Sequence, residues 1–171
     1  MVKNTERADY MFNIFKKKKY VDIYSPINGI LLKIEDVPDP VFSQKMVGDG
    51  VALEPTEGIV YSPVNGTIIQ LFPTKHALGL KTEEGLELLI HIGMDTVEMK
   101  GNGFESFVSE GEKVKVGDKL IKFDMELVKK EHPLTSPIII TNMDIVDKIV
   151  KEPDGEKVRA EKTKIMRVYL K

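Results

Sequence analysis

From Val21 onward, short runs rich in Val, Ile and Leu alternate with turn signals, and this spacing limits the chain to a fold built mainly from strands. The turn signals pair glycine with a polar residue: Asn28-Gly29, Asp49-Gly50, Asn65-Gly66, Glu84-Gly85, Glu110-Gly111 and Gly117-Asp118. Strands this short, separated by turns this frequent, are typical of an all-β sandwich or barrel. We expect only a few short helices, near residues 43–46, 95–99 and 143–151, and a helical turn near residues 74–77.

The sequence also contains an internal repeat. Ser25-Pro26-Ile27-Asn28-Gly29 returns 37 positions later as Ser62-Pro63-Val64-Asn65-Gly66, and each copy runs into a β-branched strand. A weaker third echo is Thr135-Ser136-Pro137-Ile138. Because a lone two-stranded hairpin is only marginally stable in water, duplicated hairpins must pack over one shared core. We therefore predict one all-β domain over residues 21–171, an antiparallel β-sandwich or barrel-like fold built from a duplicated hairpin motif.

Composition excludes several classes of function. The 25 basic and 27 acidic side chains leave a formal net charge of −2, so no global field attracts nucleic acid. The absence of cysteine excludes disulfide scaffolds, thiolate zinc sites and cysteine nucleophiles, and it fits a reducing cytoplasm. The apolar runs are too short to span a membrane. The sequence also lacks a Walker-type phosphate-binding loop, so ATP hydrolysis is not expected.

Residues 1–20 differ in composition from the rest of the chain. Tyr10, Met11, Ile14 and Phe15 have helical spacing, and four lysines follow at 16–19. A basic amphipathic helix of this kind could bind a membrane surface weakly through residues 10–19. The alternative is a flexible, solvated N-terminal segment, and this is the prediction that we adopt for residues 1–20.

Three histidines are the candidates for nucleophilic or acid–base chemistry. In the strand that contains His91, alternation places Leu86, Leu88, Ile90 and Ile92 inward and His91 outward, beside apolar Leu89. His76 follows Thr74 by two residues, so the threonine hydroxyl can orient its imidazole. Pairing of the duplicated halves would bring His76 and His91 together. His132 precedes a proline in a charged stretch, and we expect it to be solvated and dispensable.

Two other classes of protein share parts of this pattern. Zinc peptidases on a similar duplicated β motif show H-x-H or HExxH spacing, but the residue two after His91 is Gly93. Biotinyl and lipoyl carriers have strands and turns like those of residues 111–118. They carry a lysine at a Met-Lys-Met or Asp-Lys-Ala hairpin tip, which has no good equivalent here. Both classes are therefore disfavoured.

Six linked motifs resemble the glucose-specific IIA domains of the bacterial phosphoenolpyruvate-dependent sugar phosphotransferase system, over roughly residues 21–144. The motifs, in chain order, are Ile34-Glu35-Asp36-Val37-Pro38-Asp39, Val41-Phe42, Val47-Gly48-Asp49-Gly50, Thr74 with His76, Leu89-Ile90-His91-Ile92-Gly93-Met94-Asp95-Thr96-Val97, and Ile140-Thr141-Asn142-Met143-Asp144. The resemblance implies that residues 21–171 are a IIA phosphocarrier domain.

The resemblance assigns the chemistry to His91, which would accept a phosphoryl group from phospho-HPr and pass it to a cysteine of a IIB domain. His76 matches the family's second active-site histidine, which donates a hydrogen bond to the phosphoryl oxygens, and Thr74 would fix its tautomer. The backbone carbonyl of Gly93 would hold Nδ1–H of His91 and leave Nε2 free to attack. The protein would thus be a phosphotransferase with a phosphohistidine intermediate and no required cofactor.

The resemblance also implies a docking ring, a shallow apolar surface that both partners would contact. Its members are Val41, Phe42, Met46, Val47, Phe72, Leu89 and Val97. Asp39 and Asp95 match acidic positions at its edge, where they would repel the phosphoryl group or pair with a partner's arginine. The alternative is that both aspartates only cap turns.

A regulatory binding module is the alternative function that the resemblance implies. Such a module would act on transporters or metabolic enzymes according to its phosphorylation state, and a partner carboxylate could complete a zinc site with His76 and His91. The sequence departs from the family pattern at Leu78 and Leu89, where some members are more aromatic. It also lacks the glycine expected near Glu161, which leaves the pairing of the last strand open.

Overall fold

The computed structural model of the chain describes residues 19–171, which form three antiparallel sheets and two short α-helices. The strands are β1 (Tyr20–Tyr24), β2 (Gly29–Lys33), β3 (Asp49–Pro55), β4 (Ile59–Tyr61), β5 (Gly66–Leu71), β6 (Ala77–Thr82), β7 (Glu87–His91), β8 (Phe104–Ser106), β9 (Lys113–Val114), β10 (Lys119–Phe123), β11 (Ser136–Ile140), β12 (Val146–Lys151), β13 (Lys157–Val158) and β14 (Lys164–Leu170). The helices are α1 (Pro40–Ser43) and α2 (Met125–Lys129), and 3₁₀ turns cover Ile34–Asp36, Thr96–Met99 and Met143–Ile145. The all-β prediction is confirmed.

The largest sheet has eight strands in the order β13-β2-β3-β11-β7-β6-β5-β9, and the two smaller sheets are β1-β14-β12 and β4-β10-β8. Apolar side chains from all three sheets meet in one main core. The eight-stranded sheet ends at β13 and β9, which do not pair with each other, so the described strands do not close into a barrel.

Strand β7 shows how the sequence pattern builds the core. Leu86, Leu88, Ile90 and Ile92 are all buried in the main core, whereas the intervening Glu87, Leu89 and His91 keep partial exposure. The predicted alternation is therefore confirmed. Each fully buried Leu or Ile contributes about 1.5–3 kcal/mol by removing apolar surface from water, which holds the strand in this register.

The internal repeat is visible as a pair of equivalent hydrogen bonds. Asn28 Oδ1 accepts from the Ala160 N–H at 2.7 Å, and Asn65 Oδ1 accepts from the Val116 N–H at 2.9 Å. Each of these donors follows a Gly-Glu-Lys-Val sequence that forms β9 in one copy and β13 in the other. The duplication therefore extends to the strands that edge the large sheet. The weaker third copy, residues 135–138, differs from the other two, because Ser136 begins the buried strand β11 inside the sheet.

Two helix predictions are shifted or reduced in the structure. The helix expected at residues 43–46 begins three residues earlier as α1, because Asp39 caps it and Pro40 occupies its first turn. The Val41 N–H donates to Asp39 Oδ1 at 2.9 Å. The turn expected near residues 74–77 is present and Ala77 begins β6, whereas residues 95–99 contain only a short 3₁₀ turn.

The prediction of a helix over residues 143–151 is wrong. A 3₁₀ turn at Met143–Ile145 leads directly into β12, which pairs with β14. Val146, Ile149 and Val150 have helical spacing, but β-branched side chains favour a strand when a partner strand is present. Helix α2 was not predicted, although Asp124 marks its start by accepting a hydrogen bond from the Leu127 N–H at 3.1 Å.

The last strand pairs fully despite the missing glycine. Glu161 itself adopts the left-handed conformation, with φ 60°, and β14 then pairs with both β1 and β12. Arg167 on β14 donates two hydrogen bonds to Asp22 on β1, at 2.7 and 3.0 Å. These bonds lower the pKa of the Asp22 carboxyl below its usual value.

The N-terminal predictions fall almost entirely outside the described residues. These predictions are the flexible segment at residues 1–20 and the membrane contact at residues 10–19. Within residues 19–171, no helix is both long enough and apolar enough to cross a membrane.

Candidate active site

A second, smaller apolar cluster lies on the other face of the eight-stranded sheet. Ala52 of β3 and Ile139 of β11 point to this face, because their strand neighbours point into the main core. The segment from Ile34 to Phe42 covers them, and Met94 completes the cluster. We call this group the outer cluster: Ile34, Val37, Phe42, Ala52, Met94 and Ile139. It supports the loops that surround His91.

Strand pairing brings His76 and His91 together. His91 ends β7 opposite Ala77, the first residue of β6, and His76 comes directly before it. The Ile92 N–H donates to the His76 carbonyl at 2.8 Å, which ties the two backbones. The imidazole centroids are 5.1 Å apart, with the rings nearly perpendicular at 83°. Two of the three histidines therefore form one site on the outer face.

The tautomer of His91 follows from its hydrogen bond. Nδ1 lies 2.8 Å from the carbonyl oxygen of Gly93, and a carbonyl can only accept, so Nδ1 carries the proton. In the neutral ring this leaves the lone pair on Nε2. The Phe42 ring packs 5.0 Å from the imidazole, centroid to centroid. Burial lowers the pKa of His91, and the Gly93 carbonyl and the charges of Asp39 and Asp95 partly oppose this shift.

His76 is more deeply buried, with 5% of its surface exposed. Its Nδ1 lies 2.5 Å from Thr74 Oγ1. The Phe72 and His76 rings pack in an edge-to-face arrangement, with their centroids 5.4 Å apart. Burial, with a smaller effect of His91, lowers the pKa of His76 to about 4. The ring is therefore neutral at pH 7, and it presents an Nε2–H donor when the Thr74 hydroxyl donates to Nδ1.

The predicted docking ring divides into exposed and supporting members. Val41, Met46, Val47 and Val97 are exposed, and Met46 retains 68% of its accessible surface. Phe72 and Leu89 are half-buried. Phe42 is buried, with 6% exposed, because it belongs to the outer cluster, so it supports His91 from below rather than offering a surface contact.

The two aspartates at the edge of the ring differ in their contacts. Asp39 caps α1, as the alternative interpretation expects. Asp95 is exposed in a left-handed conformation before the 3₁₀ turn, and its side chain makes no capping hydrogen bond. The charges of both favour the protonated form of His91, so both lie close enough to influence a charged group on that ring.

Several supporting residues had no predicted role. Asn142 lay within a recognised motif, and it fixes the start of β7 by accepting from the Glu87 N–H and donating to the Gly85 carbonyl, both at 2.8 Å. Met94 is buried in the outer cluster and anchors the loop after His91.

His132 was expected to be solvated, but it is half-buried just after α2. Its backbone N–H donates to the Val128 carbonyl.

His91 keeps partial exposure at the histidine site. The surface cleft between β4, β8 and β10 contains neither His76 nor His91. Small-molecule sites are usually concave, whereas exposed apolar side chains around a reactive group suit a protein partner. Within residues 19–171, no group of three or more His, Asp or Glu side chains is arranged to hold a metal ion. Zinc at the two histidines would thus need a ligand from another molecule.

Comparisons with known proteins identify the family of the chain. Residues 21–146 match the family model for the phosphoenolpyruvate-dependent sugar phosphotransferase system, EIIA 1. The glucose-specific EIIA component of Bacillus cereus is 49% identical over 162 residues, covering 94% of this chain and 98% of that protein. The corresponding protein of Halalkalibacterium halodurans is 59% identical over 123 residues, covering 71% of each chain.

Among solved structures, glucose permease IIA from Mycoplasma capricolum has the same fold, with a TM-score of 0.78 and 36% sequence identity. The match covers 87% of this chain and 96% of that one. Fold, family model and close relatives all agree with the resemblance read from the motifs. The chain therefore belongs to the EIIA 1 family of the phosphoenolpyruvate-dependent sugar phosphotransferase system, a family of phosphocarriers in sugar uptake.

Proposed function

We propose that His91 carries the phosphoryl group. Nε2 attacks the phosphorus of a phosphohistidine on an HPr-type donor, so one P–N bond forms as the donor's P–N bond breaks. In the second step the P–N bond at His91 breaks, and a P–S bond forms to a cysteine thiolate of a IIB domain. The observation that carries this proposal is the hydrogen bond from Nδ1–H to the Gly93 carbonyl, which leaves the Nε2 lone pair free.

His76 acts in this proposal as a donor to the phosphoryl oxygens. Its Nε2–H would hold the migrating charge, while Thr74 holds Nδ1. A pKa of about 4 keeps the ring neutral throughout the working pH range, so its donor strength does not change with small changes in pH. The exposed members of the docking ring, Val41, Met46, Val47 and Val97, provide the apolar contact surface for both partners.

The proposed partners are cytoplasmic, and we infer the same location for this chain. The regulatory module remains a second candidate, because it would use the same surface. The observation that favours it is the contact between the His76 and His91 rings, at 5.1 Å. A partner carboxylate beside these rings would complete a zinc site, whereas the phosphocarrier role requires no cofactor.

Phosphorylation by the complete donor chain tests the proposal. The protein is incubated with phosphoenolpyruvate, enzyme I and HPr, and its intact mass is measured. We expect a gain of one phosphoryl group that is lost on mild acid treatment, maps to His91 and does not occur when HPr is omitted. An acid-stable gain, or a gain on another residue, would contradict the proposed acceptor.

A further inference from the structure

The carbonyl that holds His91 belongs to a glycine with a left-handed backbone and no room for a side chain. Gly93 has φ 68°, and a Cβ there would lie 2.7 Å from Thr96 Cγ2 and 3.0 Å from the Pro133 carbonyl oxygen. Only glycine therefore fits. Glycine also permits many backbone conformations, so the direction of its carbonyl must be set by hydrogen bonds rather than by its own sterics.

Hydrogen bonds hold the peptide groups on both sides of Gly93. The Gly93 N–H donates to Ser136 Oγ at 3.1 Å, and the Ser136 hydroxyl donates onward to the Leu134 carbonyl at 2.8 Å. On the other side, the Met94 N–H donates to the Pro133 carbonyl at 3.0 Å. Ser136 is fully buried, so water does not replace its hydroxyl. Both torsion angles of Gly93 are thereby fixed.

We infer that Ser136 is a positioning residue for His91. By holding the peptide before Gly93, its hydroxyl aims the Gly93 carbonyl at Nδ1, which keeps the proton on Nδ1 and the lone pair on Nε2. The Pro133 carbonyl holds the other peptide group, which contains the Gly93 carbonyl, by accepting from the Met94 N–H. The two linked hydrogen bonds of Ser136, from the Gly93 N–H and to the Leu134 carbonyl, strengthen one another. The consequence for phosphoryl transfer rests on the proposed role of His91, but the effect on its tautomer does not.

The tautomer can be measured directly in the intact protein. Long-range ¹H–¹⁵N correlation spectra of His91 at neutral pH should show a protonated Nδ1 and an unprotonated Nε2. In Ser136→Ala we expect the two nitrogen shifts to move toward each other, because the Nε2–H tautomer becomes populated. A folded Ser136→Ala protein with unchanged His91 shifts would overturn the inference.

Three further variants separate positioning from general damage. Ser62→Ala is a matched control, since Ser62 is equally buried and its hydroxyl bonds to the Val64 carbonyl at 2.7 Å, away from the histidines. It should leave the His91 shifts unchanged. Ser136→Thr keeps the hydroxyl, so its His91 nitrogen shifts should match those of the wild-type protein. Equal changes in Ser62→Ala, or no rescue in a folded Ser136→Thr protein, would overturn the inference. If Ser136→Ala does not fold, Ser136→Cys gives the same readout with a weaker hydrogen bond and a smaller expected shift.

A kinetic measurement extends the test to function. The rate of phosphoryl acceptance in Ser136→Ala should fall by about ten- to a hundredfold, the range seen when outer partners that orient metal-binding histidines are removed. KM for phospho-HPr should not change, because Ser136 is buried away from the docking ring. A raised KM with an unchanged rate would contradict positioning. If the wild-type protein accepts no phosphoryl group, the proposed function fails, while the tautomer measurement still decides the role of Ser136.

Discussion

The two faces of the eight-stranded sheet come from the same strands but differ in what covers them. The inner face is covered by both smaller sheets, and its aliphatic side chains form the main core. Among residues 19–171, the apolar cluster on the outer face is formed with the segment from Ile34 to Phe42 and with Met94. Leu88 and Leu89 illustrate the contrast, because these neighbours on β7 are fully buried and half-buried respectively.

Partial covering gives the outer face its chemistry. His76 and His91 are buried enough that the pKa of each is lowered, yet His91 keeps some exposure on a surface rimmed by apolar side chains. A fully covered histidine could not reach a protein partner, and a fully exposed one would have no fixed orientation. The inner face should therefore determine stability and the outer face reactivity.

The largest expected effect is on the outer face, at His91. His91→Gln should abolish phosphoryl acceptance, because glutamine has no nucleophilic ring nitrogen. His132→Gln is the matched control and should leave acceptance unchanged, since His132 lies outside the two-histidine site. The measurement is phosphorylation by HPr, with thermal unfolding to show that both variants fold. A comparable loss in His132→Gln would place the reactive site elsewhere.

His76→Gln should separate the two half-reactions. The nucleophile remains, so HPr should still phosphorylate His91, whereas transfer to IIB should slow by about 10²- to 10³-fold because one preorganised donor is changed. Single-turnover assays with purified HPr and IIB measure each step. The division of roles is wrong if acceptance is lost as completely as in His91→Gln, or if neither step changes.

Leu88→Ala and Leu89→Ala compare the two faces with one residue type on one strand. Leu88→Ala removes a fully buried side chain from the main core and should lower the free energy of unfolding by about 2–5 kcal/mol. Leu89→Ala should cost only about 1 kcal/mol but raise KM for phospho-HPr. Denaturant unfolding and steady-state phosphorylation provide the two readouts. Equal losses of stability would remove the contrast between the faces.

Acid should destabilise the protein through His76 before the carboxylates titrate. The pKa of His76 is about 4 in the folded protein, against an ordinary value of 6.5 that applies to the unfolded chain. As pH falls, the unfolded chain therefore binds the proton before the folded protein does. Stability should therefore decline between pH 6.5 and pH 4, by up to about 3 kcal/mol at 1.4 kcal/mol per unit. His76→Gln should show a smaller decline in unfolding experiments across this range. A decline as steep as in wild type would assign the sensitivity to other groups.

The sequence predicted those parts of the site that depend on local pattern. Alternation along β7 placed His91 outward, whereas His76 meets it through pairing of the consecutive strands β6 and β7 and not through pairing of the duplicated halves. The burial of Phe42 was not predictable in this way, because it depends on how the 34–42 segment folds over Ala52 and Ile139. Ser136 contacts Gly93 across 43 positions, and no local pattern in the sequence marks that pairing.

Local pattern also misled where a distant partner decided the conformation. Ile145, Val146, Ile149 and Val150 have the spacing of an amphipathic helix, but pairing with β14 makes most of the segment a strand. The lesson is specific to short segments. Where helical spacing comes from β-branched residues, strand propensity and an available sheet edge outweigh it.

The pairing of β1 with β14 has a consequence for synthesis of the chain. Asp22 meets Arg167, a residue 145 positions later, so among the described strands β1 has no partner in its sheet until β14 has been translated. At about 5–20 residues per second this delay is roughly 7 to 30 seconds. Throughout that interval the emerging chain exposes β1 as an unpaired strand, and pairing with β14, rather than an early hairpin, completes this sheet.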